Sequence, residues 1–404
     1  MAENLSVMLT LLLVLLFLVF LAATAAALVI YKKSIHLWLG HYLKRKFFKK
    51  SSKVNGPKHI MFAFVDHYEP MWGKSISYEQ ECARVDRWYR NYPKVASKYK
   101  DADGCHPKHS FFYPEEEYRQ EHLDKITQLC QQGFGEIEVH LHHDNDTSEN
   151  LRQTLENFTE LLHKNHGAFV RDKETGKLQY TFIHGNWSLN NSRPDGRMCG
   201  VNDELIVLKE TGCYADFTFP SAPSDTQPAM ANEIYYAKDD PEKPKSHNRG
   251  KLVEVGGKPW GDLMLITGPL DLNWKHRKKG IFPQIENSDI RQCIPPTKDR
   301  IDLWVNCDIH VRGKPDWLFV KIHTHGTQER DTDTVLGQPF EDMCQYLDKK
   351  YNDGENYILH YVSAREMYNI VKAAEAGKTG NPNQYRDYVV PAPTYNNTSS
   401  RGHS

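Results

Sequence analysis

The sequence predicts an α/β fold, built on a parallel sheet or a closed β/α barrel and preceded by one transmembrane helix. Short β-type runs alternate with amphipathic helical stretches, an apolar segment of 24 residues lies near the N-terminus, and several predicted strands end in His or Asp. Hydrophobic residues make up 39% of the chain, and with the 25 glycines this is near the globular average. A wholly disordered chain is therefore excluded.

The N-terminal segment from Val7 to Ile30 carries no charge and is interrupted only by Thr10 and Thr24. As a helix it would be about 36 Å long, enough to cross a bilayer. The alternative is a cleaved signal peptide, but no Lys or Arg precedes the run, and the run is long for such a peptide. We expect an uncleaved anchor over residues 1–31, with the rest of the chain on the cytoplasmic side because basic residues follow the span.

The segment 32–56 is expected to be a basic juxtamembrane segment. Residues 1–53 hold eight Lys or Arg and one Glu, whereas the remaining chain has a net charge of −8. Basic and aromatic residues over 34–50 indicate a segment that lies on anionic lipid, or alternatively a plain stop-transfer flank. The acidic body argues against nucleic acid as a partner. The eight scattered cysteines contain no CxxC and fit a reducing compartment.

The body of the protein is expected over 57–376, with an insertion at about 225–316 and an extended or disordered tail over 377–404. The predicted strands are 59–66, 110–113, 136–142, 180–184, 215–219, 317–323 and 357–362. The predicted helices are 78–100 with an interruption near Pro93, 115–132, 148–163, 203–211, 334–351 and one that begins after a capping box at Ser363.

Ionisable residues follow four of the predicted strands. They are Asp66, His67 and Glu69 after the first, His140 and His142 after the third, His184 with Trp187 after the fourth, and His323 and His325 after the late strand. The carboxyl ends of parallel strands meet at one edge, where functional residues of β/α barrels lie. Burial of so many polar groups would be costly without a ligand.

His140 and His142 are two residues apart on a strand and therefore share a face, on which Glu138 precedes them. Two imidazoles, together with a carboxylate from the next strand, are typical of a site for a first-row divalent metal.

The order of these motifs resembles that of the polysaccharide deacetylase (NodB-homology) superfamily. An apolar strand ends in Asp66, a Phe-rich strand with its helix follows, and a Gly-Glu-Ile segment that begins at Gly135, in the place of the family's Gly-x-Glu-Ile, leads into His140. Then come an Arg-Pro pair at Arg193, a helix ending in Leu-x-x-x-Gly at Gly212, and a late strand ending in His323.

The resemblance covers residues 58–225 and 317–326. It implies a distorted β/α barrel of the polysaccharide deacetylase type and a metal-dependent removal of N- or O-acetyl groups. The metal would polarise the acetyl carbonyl and activate a water molecule. Zinc is expected first, and nickel, cobalt, manganese and iron suit the same donors.

The resemblance implies that Asp66, His140 and a second His hold the metal. In the family the second His lies four residues after the first, but Asp144 occupies that position here. His142, His143 and Asp144 are therefore alternatives for the third ligand, and strand geometry favours His142.

The resemblance also implies that His323 is a catalytic acid that donates a proton to the leaving amine. The family's base Asp corresponds to Val65, which cannot accept a proton, so His67 or Glu69 is expected to take that role. The residues interpreted as substrate-binding are His184, Trp187, Arg193 and His325.

The sequence thus predicts a membrane-anchored hydrolase acting on an acetylated or lipid-linked saccharide in cell-surface polysaccharide or glycolipid metabolism. The anchor and the basic segment would contact membrane lipid. Two alternatives remain: a glycoside or phosphoester hydrolase on the same barrel, suggested by Val65, and a catalytically degenerate scaffold in a membrane polysaccharide-synthesis complex.

Overall fold

The computed structural model describes residues 2–48 and 54–396. Lys49, Lys50 and Lys53 of the predicted basic segment and residues 397–404 of the predicted tail lie outside these ranges. The helices are α1 (Ala2–Lys32), α2 (Ile35–Phe48), α3 (Tyr78–Ala96), α4 (Gln120–Gln131), α5 (Ser148–His166), α6 (Glu204–Thr211), α7 (Lys298–Asn306), α8 (Glu329–Val335), α9 (Gln338–Tyr351) and α10 (Ala364–Glu375). The strands are β1 (Lys58–His67), β2 (His109–Pro114), β3 (Gly135–Leu141), β4 (Val170–Arg171), β5 (Leu178–His184), β6 (Cys213–Asp216), β7 (Ile234–Ala237), β8 (Lys251–Leu252), β9 (Leu263–Ile266), β10 (Asp271–Lys278), β11 (Phe282–Glu286), β12 (Asp289–Ile290), β13 (Trp317–Thr324) and β14 (Tyr357–Val362).

The fold is mixed α/β with one large, mainly parallel sheet, in the order β12-β13-β1-β2-β3-β5-β6-β9-β7-β8. β7 pairs antiparallel with β9 and β8 at one end. β14 and β2 lie along one edge of β1, because β14 pairs with residues 58–63 and β2 with residues 64–67. Across the described residues no backbone pairing joins β12 to β8, so the closed barrel expected from the sequence is not formed by hydrogen-bonded strands.

A buried lysine spans the space between β13 and the segment that follows β6. The Lys321 ammonium donates hydrogen bonds to the carbonyl oxygens of Phe217 at 2.8 Å and Phe219 at 2.6 Å. The Gly268 amide donates to the same Phe219 carbonyl at 2.9 Å. Side-chain and loop contacts therefore take the place of a strand pair here.

The two faces of β1 belong to two different hydrophobic cores. Met61, Ala63 and Val65 pack in the core that includes α10. Ile60, Phe62 and Phe64 pack in the core that includes α3, α4 and α5. Because side chains alternate along a strand, His67 and Glu69 continue the first face and Asp66 continues the second.

The N-terminal helix contains one candidate membrane span, Asn4–Lys32, which is long and apolar enough to cross a bilayer. In the segment after it, α2 packs on the body of the protein. Trp38 is fully buried, the Tyr42 hydroxyl donates to Asp271, and Arg45 lies 2.8 Å from Glu233. Indole burial and buried polar contacts thus hold α2 against the segment 225–316.

Two helices differ from the expectations. α3 continues through Pro93, which lies in its last turn, so that the loss of one backbone donor does not end the helix. The expected helix over 115–132 is divided into a 3₁₀ turn, Glu115–Glu117, and α4. The capping box predicted at Ser363 is present, with Glu366 completing it.

The segment 225–316 has short strands of its own, as expected, but β9 within it pairs in parallel with β6 and so belongs to the main sheet.

The tail is attached to the body of the protein as far as residue 396. Val390 is buried, and the Tyr395 hydroxyl accepts a hydrogen bond from the Ile137 amide at 2.9 Å. The described part of the tail is therefore held by the core that includes α10 at Val390 and by β3 at Tyr395.

Candidate active site

Five side chains meet where the inner faces of β1, β3 and β13 end. We call them the inner histidine cluster: His67, Glu69, His140, His142 and His325. His67 lies on the face of β1 that carries Val65, and Glu69 continues that face. His140 lies on the face of β3 that carries Glu138, and His142 continues it. His325 continues the face of β13 that carries Phe319. The alternation of the strands thus directs all five toward one space.

Glu69 is shared by two groups of side chains that could hold a metal ion. One group is Glu69 with His140 and His142, and the other is Glu69 with His67 and His325. The ligand atoms within each group lie within 4.8 Å of one another. Oε1 of Glu69 lies 3.2 Å from Nε2 of both His140 and His142, whereas its buried Oε2 has no hydrogen-bond partner in the described residues.

The orientation of His140 leaves a lone pair pointing at Glu69. Its Nδ1 donates a hydrogen bond to the Ile183 carbonyl at 2.8 Å, which fixes the tautomer when the ring is neutral. Burial lowers the pKa of His140, so the ring is neutral near pH 7. A bare nitrogen and a carboxylate oxygen then face each other, an arrangement that a bound cation would satisfy.

His142 is oriented by a second carboxylate. Its Nδ1 donates to Glu116, and a Cβ at Gly185 would lie only 2.2 Å from its ring, so residue 185 must be glycine for His142 to lie here. Burial would lower the pKa of His142, but the hydrogen bonds with Glu116 and Glu69 raise it to about 10. Burial would likewise raise the pKa of Glu69, but the hydrogen bond from His142 helps to lower it below its usual range.

His67 and His325 complete the cluster with unused nitrogens. His67 is fully buried, and neither of its ring nitrogens has a hydrogen-bond partner in the described residues. Its ring stacks on that of His325 at 4.5 Å and contacts that of His140 at 4.8 Å. Burial, followed by the charges of neighbouring histidines, lowers the pKa of His67 well below its ordinary value, so this imidazole is neutral.

His323 lies beside the cluster, next to a carboxylate. Its Nε2 is 3.9 Å from Oδ1 of Asp289, and neither atom has a hydrogen-bond partner among the described residues. Burial, and then the charge of Lys321, lowers the pKa of His323 well below its usual value. His323 is therefore neutral at rest, and Asp289 is the group that would stabilise its charged form.

The ring of Trp187 lies next to the inner histidine cluster and also next to His323. Its ring centroid lies 4.8 Å from that of His67, 5.2 Å from His323 and 6.3 Å from His325. Its backbone has a φ of 62°, in the left-handed region that a tryptophan rarely adopts. A cavity of about 670 Å³ borders Trp187, His323 and Asp289. The metal donors of the inner histidine cluster and the pair His323–Asp289 thus lie next to the same aromatic ring.

Asp66, which the family resemblance implied as a metal ligand, lies outside these groups. Its side chain continues the other face of β1, where Oδ2 is 2.8 Å from Nε2 of His109 and Oδ1 accepts from the Gly326 amide at 2.7 Å. A Cβ at Gly326 would lie 2.4 Å from Asp66. Asp66 thus positions the loop that carries His325, and Glu69 supplies the carboxylate to the cluster.

His184 belongs to a separate group, His143, His184 and Glu204, which we call the outer histidine cluster. His184 follows Phe182 on the strand face that packs against helices. His143 lies between two carboxylates: Nδ1 is 3.0 Å from Asp146 and Nε2 is 3.2 Å from Glu204. Burial would lower the pKa of His143, but these carboxylates raise it to about 9. A protonated His143 therefore donates to both carboxylates.

Arg193 does not reach the inner histidine cluster in this structure. Its guanidinium donates to the Asn186 carbonyl at 3.0 Å and so supports the loop that carries Trp187.

The sequence did not single out Glu116, Asp289 or Glu204. Glu116 is one of three consecutive glutamates, and Asp289 lies in the segment 225–316, so no local pattern marks either of them.

The sequence matches no family model and none of the curated proteins with which it was compared. Among solved structures, the chain is similar to the crystal structure of a "putative polysaccharide deacetylase" from Mycobacterium smegmatis, with 12% identity and a TM-score of 0.41 over 82% of this chain and 96% of that one. It is also similar to the 4-alpha-glucanotransferase from Thermococcus litoralis, with 12% identity and a TM-score of 0.36 over 83% of this chain and 47% of that one. Likenesses at this level do not fix a function, which has to come from the site itself.

Proposed function

We propose that the protein is a membrane-anchored, metal-dependent hydrolase that removes acetyl groups from N- or O-acetylated sugars. The observation that carries this proposal is the inner histidine cluster, in which both ring nitrogens of His67, Nδ1 of His325 and Oε2 of Glu69 are buried without a hydrogen-bond partner among the described residues. The cluster lies beside His323 and Asp289. A buried lone pair without a partner is costly, and so many in one place are typical of a binding site.

The donor set fits a divalent transition metal. Glu69, His140 and His142 would hold it, and His67 and His325 share Glu69 on the other side. Imidazole and carboxylate donors suit zinc, and also nickel, cobalt, manganese or iron. When bound, such an ion supplies Lewis acidity toward a carbonyl oxygen and lowers the pKa of water.

The remaining groups would handle protons. His67, which is neutral and has no hydrogen-bond partner for either nitrogen among the described residues, would accept the proton that the attacking water loses. His323 would take a proton from solvent and give it to the leaving nitrogen or oxygen, and Asp289 would stabilise the imidazolium that exists between these two transfers. Trp187 provides an apolar surface for a sugar ring.

The proposed setting is the cytoplasmic side of a membrane, in cell-surface polysaccharide or glycolipid metabolism. The apolar helix α1 supports anchoring, and the lysines that follow it support the orientation. The proposed partners are an acetylated or lipid-linked saccharide and the membrane itself; with its acidic body, the protein is not proposed to bind nucleic acid.

The test is acetate release by full-length protein reconstituted with zinc, nickel, cobalt, manganese or iron, on a panel of acetylated amino sugars. We expect release to fall by about 100-fold or more in His323→Gln, the range that loss of a general acid gives, and to persist in His163→Gln, a histidine on α5 remote from the site. Glycosidic or phosphate products without acetate would replace the proposal with another hydrolase. No product with any metal would favour a scaffold.

A further inference from the structure

One cavity of about 670 Å³ connects the end of the membrane helix to the proposed catalytic groups. Val29, Lys33 and Ile35 line it where α1 meets α2, and Trp187 and His323 line it at the other end. Because the candidate span ends at Lys32, Lys33 lies where a bilayer would meet water. A molecule in this cavity would touch the membrane boundary and the site together.

The walls of the cavity combine apolar and cationic groups. Phe282 and Ile285 of β11 supply apolar surface, and Lys33, Lys279 and Arg291 supply positive charge. Arg291 lies 2.6 Å from Asp289, whereas Lys33 and Lys279 form no ion pair with any described residue. Such walls complement an amphiphile that carries an anionic group near the membrane surface.

The hairpin that forms one wall exposes residues suited to a bilayer surface. Trp274 on β10 is 54% exposed and Ile281, beside β11, is 68% exposed. Basic side chains flank them at Lys275 and Lys279. Aromatic, aliphatic and basic residues together are typical of an element that lies in the interface of an anionic membrane. Lys279 and Phe282 of this region line the same cavity as Val29 and Lys33, so the hairpin and the end of α1 border one cavity.

We propose that the substrate is a lipid-linked saccharide with a phosphate between lipid and sugar, drawn from the membrane through this cavity. The inference rests on the proposed function and specifies its substrate class. The lipid stays beside α1, the phosphate lies near Lys33 and Lys279, and the acetylated sugar reaches Trp187 and His323.

Binding is measured with the full-length protein in phosphatidylcholine nanodiscs, with empty nanodiscs as background. The probes are N-acetylglucosamine diphosphate linked to a polyprenol, an alkyl glycoside of N-acetylglucosamine, and N-acetylglucosamine 1-phosphate. We expect the polyprenyl probe to bind at least about tenfold more tightly than the other two, because only it carries both lipid and phosphate. Equal affinity for the polyprenyl probe and the soluble sugar phosphate would overturn the inference.

Variants at neighbouring lysines locate the binding. Lys33→Glu is expected to weaken polyprenyl-probe binding by about tenfold, and Lys32→Glu, one residue outside the cavity lining, by less than about twofold. Equal effects of the two substitutions would show that lysine at this boundary attracts the probe without the cavity, and would contradict the inference.

Acetate release from the same samples separates this inference from the proposed function. Selective, Lys33-dependent binding without acetate release would leave the cavity assignment in place and contradict the deacetylase. Equal kcat/KM for the soluble sugar and the polyprenyl probe would support the deacetylase and overturn the cavity assignment.

Discussion

The inner and outer histidine clusters contain the same kinds of side chain but differ in how their polar atoms are partnered. In the outer histidine cluster, His143 donates toward a carboxylate on each side, so one proton satisfies both contacts of this ring. The buried Nε2 of His184 lies 3.7 Å from Glu204 and has no hydrogen-bond partner among the described residues. His184 accepts a hydrogen bond from the Asn186 amide at Nδ1, so its Nε2 carries the hydrogen and offers no lone pair to a metal. This cluster is an internal ion pair that joins the end of β3 to α6.

The inner histidine cluster leaves several of its donor atoms without a partner in the described part of the chain. Among residues 2–48 and 54–396, neither ring nitrogen of His67 nor Oε2 of Glu69 has a hydrogen-bond partner, and the lone pair of His140 faces a carboxylate oxygen. His142 resembles His143 in lying between two carboxylates, so this feature alone does not distinguish the clusters. The comparison teaches that residue types near one another indicate a site only where their hydrogen-bonding capacity remains unused.

Neutralising the central carboxylate of each cluster should have the largest and most unequal effect on activity. We expect Glu69→Gln to lower kcat/KM for acetate release by at least about 1,000-fold, because the Lewis acid contributes several kcal/mol to the transition state. Glu204→Gln, assayed below its unfolding temperature, should lower it by less than about tenfold. Similar losses in both variants would remove the distinction between the clusters.

The buried carboxylate of the outer histidine cluster should contribute strongly to the stability of the fold. Glu204 is fully buried, pairs with His143 and accepts a hydrogen bond from the Asn190 amide, so Glu204→Gln should cost about 3 kcal/mol of unfolding free energy. Glu210→Gln, on the same helix but paired with Arg152 at the surface, should cost less than about 1 kcal/mol. Denaturant unfolding measures both, and equal values would mean that the outer pair contributes no more than a surface pair.

The supporting carboxylates offer a finer comparison. Glu116 accepts from Nδ1 of His142, and Asp146 accepts from Nδ1 of His143. We expect Glu116→Gln to weaken metal binding about 10- to 100-fold, as loss of an orienting partner does. Asp146→Asn should leave the metal dissociation constant unchanged. Competition with a chromogenic chelator measures both, and a weaker metal affinity in Asp146→Asn would assign the ion to the outer cluster.

The contribution of the outer histidine cluster to the unfolding free energy should depend on pH. His143 has a folded pKa of about 9, against about 6.5 when unfolded. Because the folded pKa is raised, its stabilisation is fully present below about pH 6.5 and is lost as the pH rises toward 9. The difference in unfolding free energy between wild type and His143→Asn should therefore shrink over this interval. A constant difference from pH 6 to pH 9.5 would contradict the charged assignment.

Much of the fold could be predicted from local patterns. The continuous apolar run of β1, the period-two face of His140 and His142, and the capping box at Ser363 all depend on neighbours in sequence. The position of polar residues at strand ends followed from the parallel arrangement. These features need no knowledge of distant contacts.

The features that the sequence did not predict depend on contacts between segments that are far apart along the chain. Asp66 was assigned by resemblance, although the alternation along β1 directs it to the helix side, where His109 and Gly326 hold it. The docking of α2 requires Asp271 and Glu233, which are about 200 residues away in sequence. No local pattern could reveal such pairs, because their partners meet only in the folded chain.

The most direct test of the account is the metal content of purified full-length protein after reconstitution with zinc, nickel, cobalt, manganese or iron. Wild type, His140→Ala and His184→Ala are compared by elemental analysis, since the last two remove one imidazole from each cluster. We expect roughly one equivalent of metal in wild type and in His184→Ala and almost none in His140→Ala. Absence of metal from wild type, or its loss in His184→Ala with retention in His140→Ala, would contradict the account.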